Sequence, residues 1–265
     1  MGKPVVLVTG ASSGIGKVTA QLFAQNDYIV FGTSRHSHDD VIGVTMLILD
    51  VTSDVSVNTC VNKVIELAGR IDVLVNNAGI VQMGAVEELA HDELMPVFET
   101  NYFGVIRMTQ AVLPHMRAQG SGHIISIGSL AGRLSPPAMS AYAATKAALV
   151  ALCGSLRAEL APFGVKVSVV EPGAQKSNIG TRTRSPIYTM SIYNDMRERI
   201  QRGARAASQR AQQPNAVANK VLKIAQSNHP GFCFLVGRDA RILSTLKWIL
   251  PERFFERGLR RRLGV

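Results

Sequence analysis

The chain has 265 residues, 46% of them hydrophobic, and a formal net charge of +10. Such a chain can bury a large core as one α/β domain, and its three scattered cysteines (Cys60, Cys153, Cys233) argue against a disulfide framework or a zinc site and fit a reducing cytoplasm. No apolar run reaches the ~18 residues of a membrane-spanning helix, and the charge excess points to anionic partners, although no nucleic-acid-binding module is recognisable.

In chain order, "MGKPVVLVTG" runs straight into a strand-like segment without the succession of charge, apolar run and cleavage site that marks a signal peptide. Val6 also stands where a myristoylation motif wants Ser or Thr. The expectation is a cytoplasmic protein, soluble or at most peripheral. Apolar runs then recur: "PVVLVTG", "YIVFGTS", "VTMLILDV", "IDVLVNNAG", "HIISIGS", "VKVSVVEPG" and "FCFLVG". Helical stripes fall between them, with Ile15, Val18, Leu22 and Phe23 in one and Val57, Val61, Val64, Ile65 and Ala68 in another. Continuous apolar strands alternating with helices predict a single doubly wound parallel sheet, covered on both faces, over residues 1–237. Ligands bind such sheets at the carboxyl ends of the strands, near the switch in strand order. The connection between strands two and three is about nine residues, room for at most one helical turn.

The first strand ends in "TGASSGIG", which puts Gly10, Gly14 and Gly16 in a turn that opens a helix. Glycines let a backbone approach a pyrophosphate closely, and a helix start offers unpaired N–H groups and a positive dipole end, so the turn predicts dinucleotide binding. Further on, "SLAGRLSPPAMSAYAATK" places Tyr142 and Lys146 four apart on one helix face, an ammonium beside a phenol.

These segments together resemble the short-chain dehydrogenase/reductase family, over roughly residues 3–237. The motifs are "TGASSGIG" at 9–16, "DVT" at 50–52, "NNAG" at 76–79, Asn101, Ser129, Tyr142, Lys146 and "PG" at 172–173. The resemblance implies a Rossmann-type fold and an enzyme that interconverts alcohols and carbonyls with NAD or NADP. It implies Tyr142 as general acid/base, and Lys146 as the cation that lowers its pKa and holds the nicotinamide ribose. It implies Ser129 as hydrogen-bond donor to the substrate oxygen, and Asn101 as holder of a water in a relay to Lys146. The physics agrees with the first pair of roles, since a free tyrosine titrates near 10 and an adjacent cation favours the phenolate.

For the cofactor, the resemblance implies contacts from Gly10, Ser12, Ser13, Gly14, Ile15 and Gly16, from Asp50 and Val51, from Asn77, Ala78 and Gly79, from Tyr142 and Lys146, and from Pro172, Gly173 and Ser177. Gln175 stands where an aliphatic residue is common, and Ser177 where a threonine usually meets the carboxamide. At the end of strand two, Ser34 and Arg35 replace the acid that would hold a ribose 2′-OH, which favours NADP(H). Asp39 and Asp40 lie several residues beyond that contact.

From Arg238 to the end, eight basic residues face three acidic ones. This basic, amphipathic extension (238–265) is expected to form two short helices divided at Pro251, with Ile242, Leu243, Leu246, Ile249 and Leu250 on one apolar face and Phe255, Leu259 and Leu263 on the other. Packing against the body or a sister subunit is favoured there over membrane contact, and the resemblance implies a homodimer or homotetramer. Between "PG" and the next helix, Ala174 to Arg205 map to a flap. Ile187, Tyr188, Met190, Ile192, Tyr193 and Met196, with Pro136, Pro137, Ala138 and Met139, would line an apolar pocket. The expected substrate is lipophilic, of the kind used by the hydroxysteroid and retinol dehydrogenases that the flap and tail resemble. The alternatives are a 3-oxoacyl-carrier-protein reductase, for which Arg182, Arg184, Arg197, Arg199 and Arg202 could greet an acidic partner, and a non-catalytic NADPH-sensing module.

Overall fold

In the computed structural model, which describes residues 2–36, 41–175 and 183–263, each of the seven apolar runs forms a strand. The elements are β1 (Val5–Val8), α1 (Gly14–Ala24), β2 (Ile29–Ser34), β3 (Val44–Ile48), α2 (Asp54–Ala68), β4 (Val73–Asn76), β5 (Val81–Gln82), α3 (His91–Phe98), α4 (Gly104–Gln119), β6 (Gly122–Ile127), α5 (Ala131–Leu134) and α6 (Ser140–Leu160). They continue with β7 (Val165–Pro172), β8 (Thr183–Arg184), α7 (Asn194–Arg210), α8 (Asn215–Ala225), β9 (Cys233–Val236), α9 (Arg238–Ile249) and α10 (Glu252–Leu263). The main sheet is parallel throughout, in the order β3-β2-β1-β4-β6-β7-β9.

That order reverses between β1 and β4, so the carboxyl ends of these two strands flank an open crevice, the general ligand site of doubly wound sheets. The side-chain period of two divides each central strand between two cores. Leu7, Leu74, Ile124 and Val167 face α2, α4 and α6, whereas Val6, Val8, Val75, Ile125 and Val170 face α1 and α8. A second, two-stranded parallel sheet, β5 with β8, was not evident from sequence, because two residues per strand carry no readable period.

Between β2 and β3, Val41 bridges back to Val44, and residues 35, 36 and 41–43 contain no helix; Asp39 and Asp40 lie outside the described residues. The tail forms α9 and α10 on either side of Pro251. Its burial differs from the sequence expectation. Ala240, Leu243 and Phe255 pack on Leu130 and Leu134, while Ile242, Leu246, Ile249 and Leu250 are exposed; the side chains of Leu259 and Leu263 lie outside the described residues.

Candidate active site

At the end of β1 the chain turns through Gly10, at φ +67°, a left-handed conformation that glycine adopts without a Cβ clash. Thr9 and Asn77 then stitch this turn to the end of β4. The Asn77 and Ala78 amides donate to the Thr9 hydroxyl at 2.9 and 3.0 Å, and the Asn77 side-chain amide donates to the carbonyls of Thr9 and Gly10 at 2.9 and 3.1 Å. Gly16 lies so close that a Cβ would collide with the Asn77 amide and the Gly10 carbonyl. The glycines thus serve a backbone-to-backbone approach between the two strands at the switch point.

A cleft of about 620 Å³ opens beside this junction. Gly10, Ser12, Ser34, Arg35, Asp50, Val51, Ala78 and Gly79 line it, all of them expected at such a site, together with Arg184 from β8, which was not expected to sit there. Arg35 is exposed at the cleft edge, and the Ser34 hydroxyl donates to the His36 carbonyl. Burial tends to raise the Asp50 carboxyl. The Thr52 amide and hydroxyl at 2.9 and 2.7 Å, with the charges of Arg35 and Arg107, outweigh it and hold Asp50 below the ordinary carboxylate range.

The four residues Asn101, Ser129, Tyr142 and Lys146 come together beyond the Gly79–Ile80 end of this cleft. Asn101 sits in a π-helical turn, Glu99–Phe103, where α3 passes into α4. Such a widened turn frees backbone and side-chain groups from the regular ladder. Asn101 is fully buried, and its amide exchanges two 2.9 Å hydrogen bonds with the Ile80 backbone and donates to Thr145 at 3.2 Å. Among the described residues it makes no direct hydrogen bond to Lys146. Lys146, one turn of α6 beyond Tyr142, donates from Nζ to the Ile127 carbonyl at 2.7 Å, at the end of β6. Ser129 follows that strand end, accepts the Ala131 amide at 3.1 Å and brings its hydroxyl close to the Tyr142 phenol.

The electrostatics depart from expectation in one respect. Burial brings the Lys146 ammonium down to about 8. Burial likewise raises the Tyr142 phenol above its ordinary value, and the Ser129 hydroxyl only partly offsets this. The Lys146 Nζ lies 5.8 Å from the Tyr142 ring centroid, and its charge does not overcome the phenol's desolvation.

Pro172 and Gly173 continue β7, with the Gly173 amide donating to Val236 at 2.8 Å. Gln175 is partly buried, and both its amide atoms are without partners among the described residues; Ser177 lies outside those residues. Of the flap residues, Ile187, Tyr188 and Ile192 are exposed rather than lining a closed pocket. Pro136, Pro137 and Ala138 do line a smaller hollow of about 390 Å³ with Gly84, Val86 and Ala143.

Two buried acids missed in the sequence pin the flap. Glu93 accepts the Ile187 amide at 3.0 Å, and Glu88 accepts the Met190 amide at 2.8 Å and an ion pair from Arg197. A third, Glu171, is buried at the end of β7, where Arg133 donates to it at 2.6 Å and the Cys233 thiol at 2.7 Å. Its signal was a carboxylate next to the apolar Val169–Val170 pair at the end of a strand run. Glu88 and Glu93 had none, since their partners lie about a hundred residues away.

The family model for short chain dehydrogenases matches residues 4–187. The chain is 35% identical over 262 residues to the 3-ketodihydrosphingosine reductase of Bacteroides thetaiotaomicron, covering 97% of this chain and 96% of that one. It is 31% identical to the uncharacterized oxidoreductase YusZ of Bacillus subtilis, over 99% of both. Among solved structures, a short-chain dehydrogenase from Streptomyces avermitilis superposes with a TM-score of 0.84 at 34% identity, covering 99% of this chain and 98% of that one. A 3-ketoacyl-(acyl-carrier-protein) reductase from Brucella melitensis, complexed with NADH, shares the fold with a TM-score of 0.74 at 24% identity, over 88% of this chain and 96% of that one. With its Rossmann-type sheet and this coverage, the chain belongs to the short-chain dehydrogenase family and is an oxidoreductase.

Proposed function

We propose that this enzyme interconverts a ketone and a secondary alcohol on a lipophilic substrate, using NADP(H), with Tyr142 moving the proton. The observation that carries this reading is the cluster at the end of the cleft: the buried Tyr142 phenol with the Ser129 hydroxyl near enough to lower its pKa and the Lys146 ammonium 5.8 Å from its ring.

The site fits a dinucleotide. The glycines at the β1 turn leave no room for side chains, and the cleft beside them is lined near the turn by backbone, by the hydroxyls of Ser12, Thr33 and Ser34 and by Arg35, with Asp50 on its wall and the carboxylates of Asp92 and Glu99 at the α3 side. The Gly10–Gly16 turn and the start of α1 would hold the pyrophosphate. Asp50, Val51 and Asn77–Gly79 would hold the adenosine, Arg35 a 2′-phosphate, and Tyr142 and Lys146 the second ribose. A nicotinamide bound there supplies or takes up the hydride.

The protein's own part is proton transfer and orientation. Ser129 positions the substrate oxygen beside the Tyr142 phenol and stabilises charge developing on it. Tyr142 donates its proton in reduction and accepts one in oxidation. Although burial brings its ammonium down to about 8, Lys146 keeps mostly its charged form at pH 7 and favours the phenolate when the proton leaves. Asn101, locked to Ile80 and Thr145, fixes α6 against the end of the β4 loop.

The lipophilic substrate class rests on the apolar wall at Pro136–Ala138 and on the Bacteroides relative, whose name specifies a ketone on a long-chain base. Reading the flap arginines as a dock for an acidic carrier is weakened at Arg197, which is ion-paired with Glu88. The test is NADPH oxidation across a ketone series. kcat/KM should rise by up to ~10-fold for each well-buried pair of methylenes. An enzyme that ignored bulky ketones yet reduced acetoacetyl thioesters efficiently would overturn the substrate class.

A further inference from the structure

The C-terminal helix pair has two apolar sides, and the body uses one. Ala240, Leu243 and Phe255 pack on Leu130 and Leu134, whereas Ile242, Trp248 and Ile249 are 57%, 87% and 62% exposed, with Leu246, Leu250 and Phe254 also in solvent. Ile242, Leu246 and Ile249 recur at i, i+4 and i+7, so they form one continuous stripe along α9. A single exposed apolar residue needs no explanation, but six within a thirteen-residue span call for one. The stripe also has a charged surround. Arg238 and Arg241 flank it, and Arg257 and Arg261 share the Phe254 face of α10, with the Arg253 guanidinium 4.9 Å from the Phe254 ring centroid. None of these arginines is ion-paired among the described residues.

We propose that the exposed face of α9 and α10 docks on an anionic phospholipid bilayer, lying in the interface with the isoleucine stripe inserted, Trp248 at its flank and the arginines on lipid phosphates. Apolar residues on one side with arginines around them match that boundary, where basic side chains gain from the negative surface potential and tryptophan partitions well. A second copy meeting this face through its own would bring two strongly basic surfaces together, so charge complementarity disfavours it. No helix among the described residues is long and apolar enough to cross a membrane, so the contact lies on the bilayer and does not span it.

The docking helix is also fastened to both walls of the active site. Asp239 in its first turn accepts the Ala174 amide at 2.8 Å, just past the Pro172–Gly173 turn. Near its other end Lys247 donates to the Arg133 carbonyl in α5, four residues beyond Ser129. The bilayer face therefore sits on the element that braces the site's entrance, where an apolar substrate would arrive.

Trp248 is the chain's single tryptophan and stands beside Ile249 at the flank of the stripe, so its fluorescence reports on the boundary of this face. The experiment titrates the full chain with vesicles of phosphatidylcholine alone, or mixed with phosphatidylglycerol, and follows emission and flotation. The mixed vesicles should shift the emission to the blue and float the protein, and high salt should reverse both. Ile242→Ser/Ile249→Ser and Arg257→Glu/Arg261→Glu should each weaken partitioning by at least ~10-fold with melting temperature unchanged, since all four positions are exposed. No blue shift and no flotation with the mixed vesicles would overturn the proposal. So would a blue shift without lipid that tracks protein concentration and is lost in Ile242→Ser/Ile249→Ser, which assigns the face to a second copy. The readout needs neither substrate nor cofactor, so its failure and that of the ketone series are distinguishable.

Discussion

Asp239 and Gly173 occupy the same space: the Asp239 carboxylate lies where a Cβ on Gly173 would be, and from there it accepts the Ala174 amide. A methyl group at Gly173 fits only if the carboxylate moves and that hydrogen bond breaks. Asp239→Ala alone should cost about 1 kcal/mol, a typical hydrogen bond, and lower Tm by about 2–4 °C for a chain of this size. Gly173→Ala should cost a similar amount in the native chain and far less on top of Asp239→Ala. Calorimetry on the four proteins of the cycle measures this coupling, and strictly additive costs would contradict the shared-space reading.

Arg35 borders the cleft where a 2′-phosphate would sit. Arg35→Ala should weaken NADPH binding by ~10–100-fold, the range for a charge-assisted hydrogen-bonded contact, and leave NADH nearly unchanged. Titration calorimetry with both cofactors provides the check. A native enzyme that already prefers NADH would contradict the reading of β2.

His123 lies buried in β6, its Nε2 3.1 Å from the Ser168 hydroxyl, which donates to the Gly231 carbonyl at 2.9 Å. Nε2 therefore carries the proton, and Nδ1 is left without a partner among the described residues. Burial first, then the charges of Lys166 and Arg157, bring its pKa down to about 4. The unfolded chain binds this proton near pH 6.5 and the folded one only near 4, so stability falls as pH drops through that window. The full loss is about 3 kcal/mol. Denaturant melts of the native protein and His123→Leu should diverge between pH 6.5 and 4, the variant losing less; parallel pH profiles would contradict this.

Glu88 is opposed by its own burial, yet the Met190 and Ala85 amides and Arg197 hold its carboxyl below the ordinary range. A depressed acid lends stability that is present above its unfolded pKa and is lost as pH falls through the folded one. Glu88→Gln should therefore loosen the flap at neutral pH. Exchange of the Met190 amide should accelerate by roughly 10-fold or more, the equivalent of one charged hydrogen bond. Unchanged exchange would mean that the flap is held elsewhere.

The sheet was legible because each strand of a doubly covered parallel sheet is a continuous apolar run, and Tyr142 and Lys146 were legible because one helical turn brings them together. What escaped reading depends on partners remote in sequence. Glu93 meets Ile187 and Asp239 meets Ala174 only after the sheet has formed. Periodicity showed that α9 has an apolar stripe, but which side is covered depends on where Leu130 and Leu134 lie, and they took Ala240 and Leu243. Charge spacing beside the Tyr142 phenol is written in sequence, whereas the desolvation that raises it is a property of the packed site.

The central claim is that Tyr142 moves the proton in a nicotinamide-linked reduction, and the direct test is Tyr142→Phe. The substitution removes the phenol oxygen and keeps the ring in its packing. Single-turnover consumption of NADPH with a bulky ketone should slow by at least ~100-fold, the usual loss for a missing general acid. NADPH affinity, measured in the same preparation, should stay within a few-fold of native. Near-native turnover in Tyr142→Phe would contradict the account.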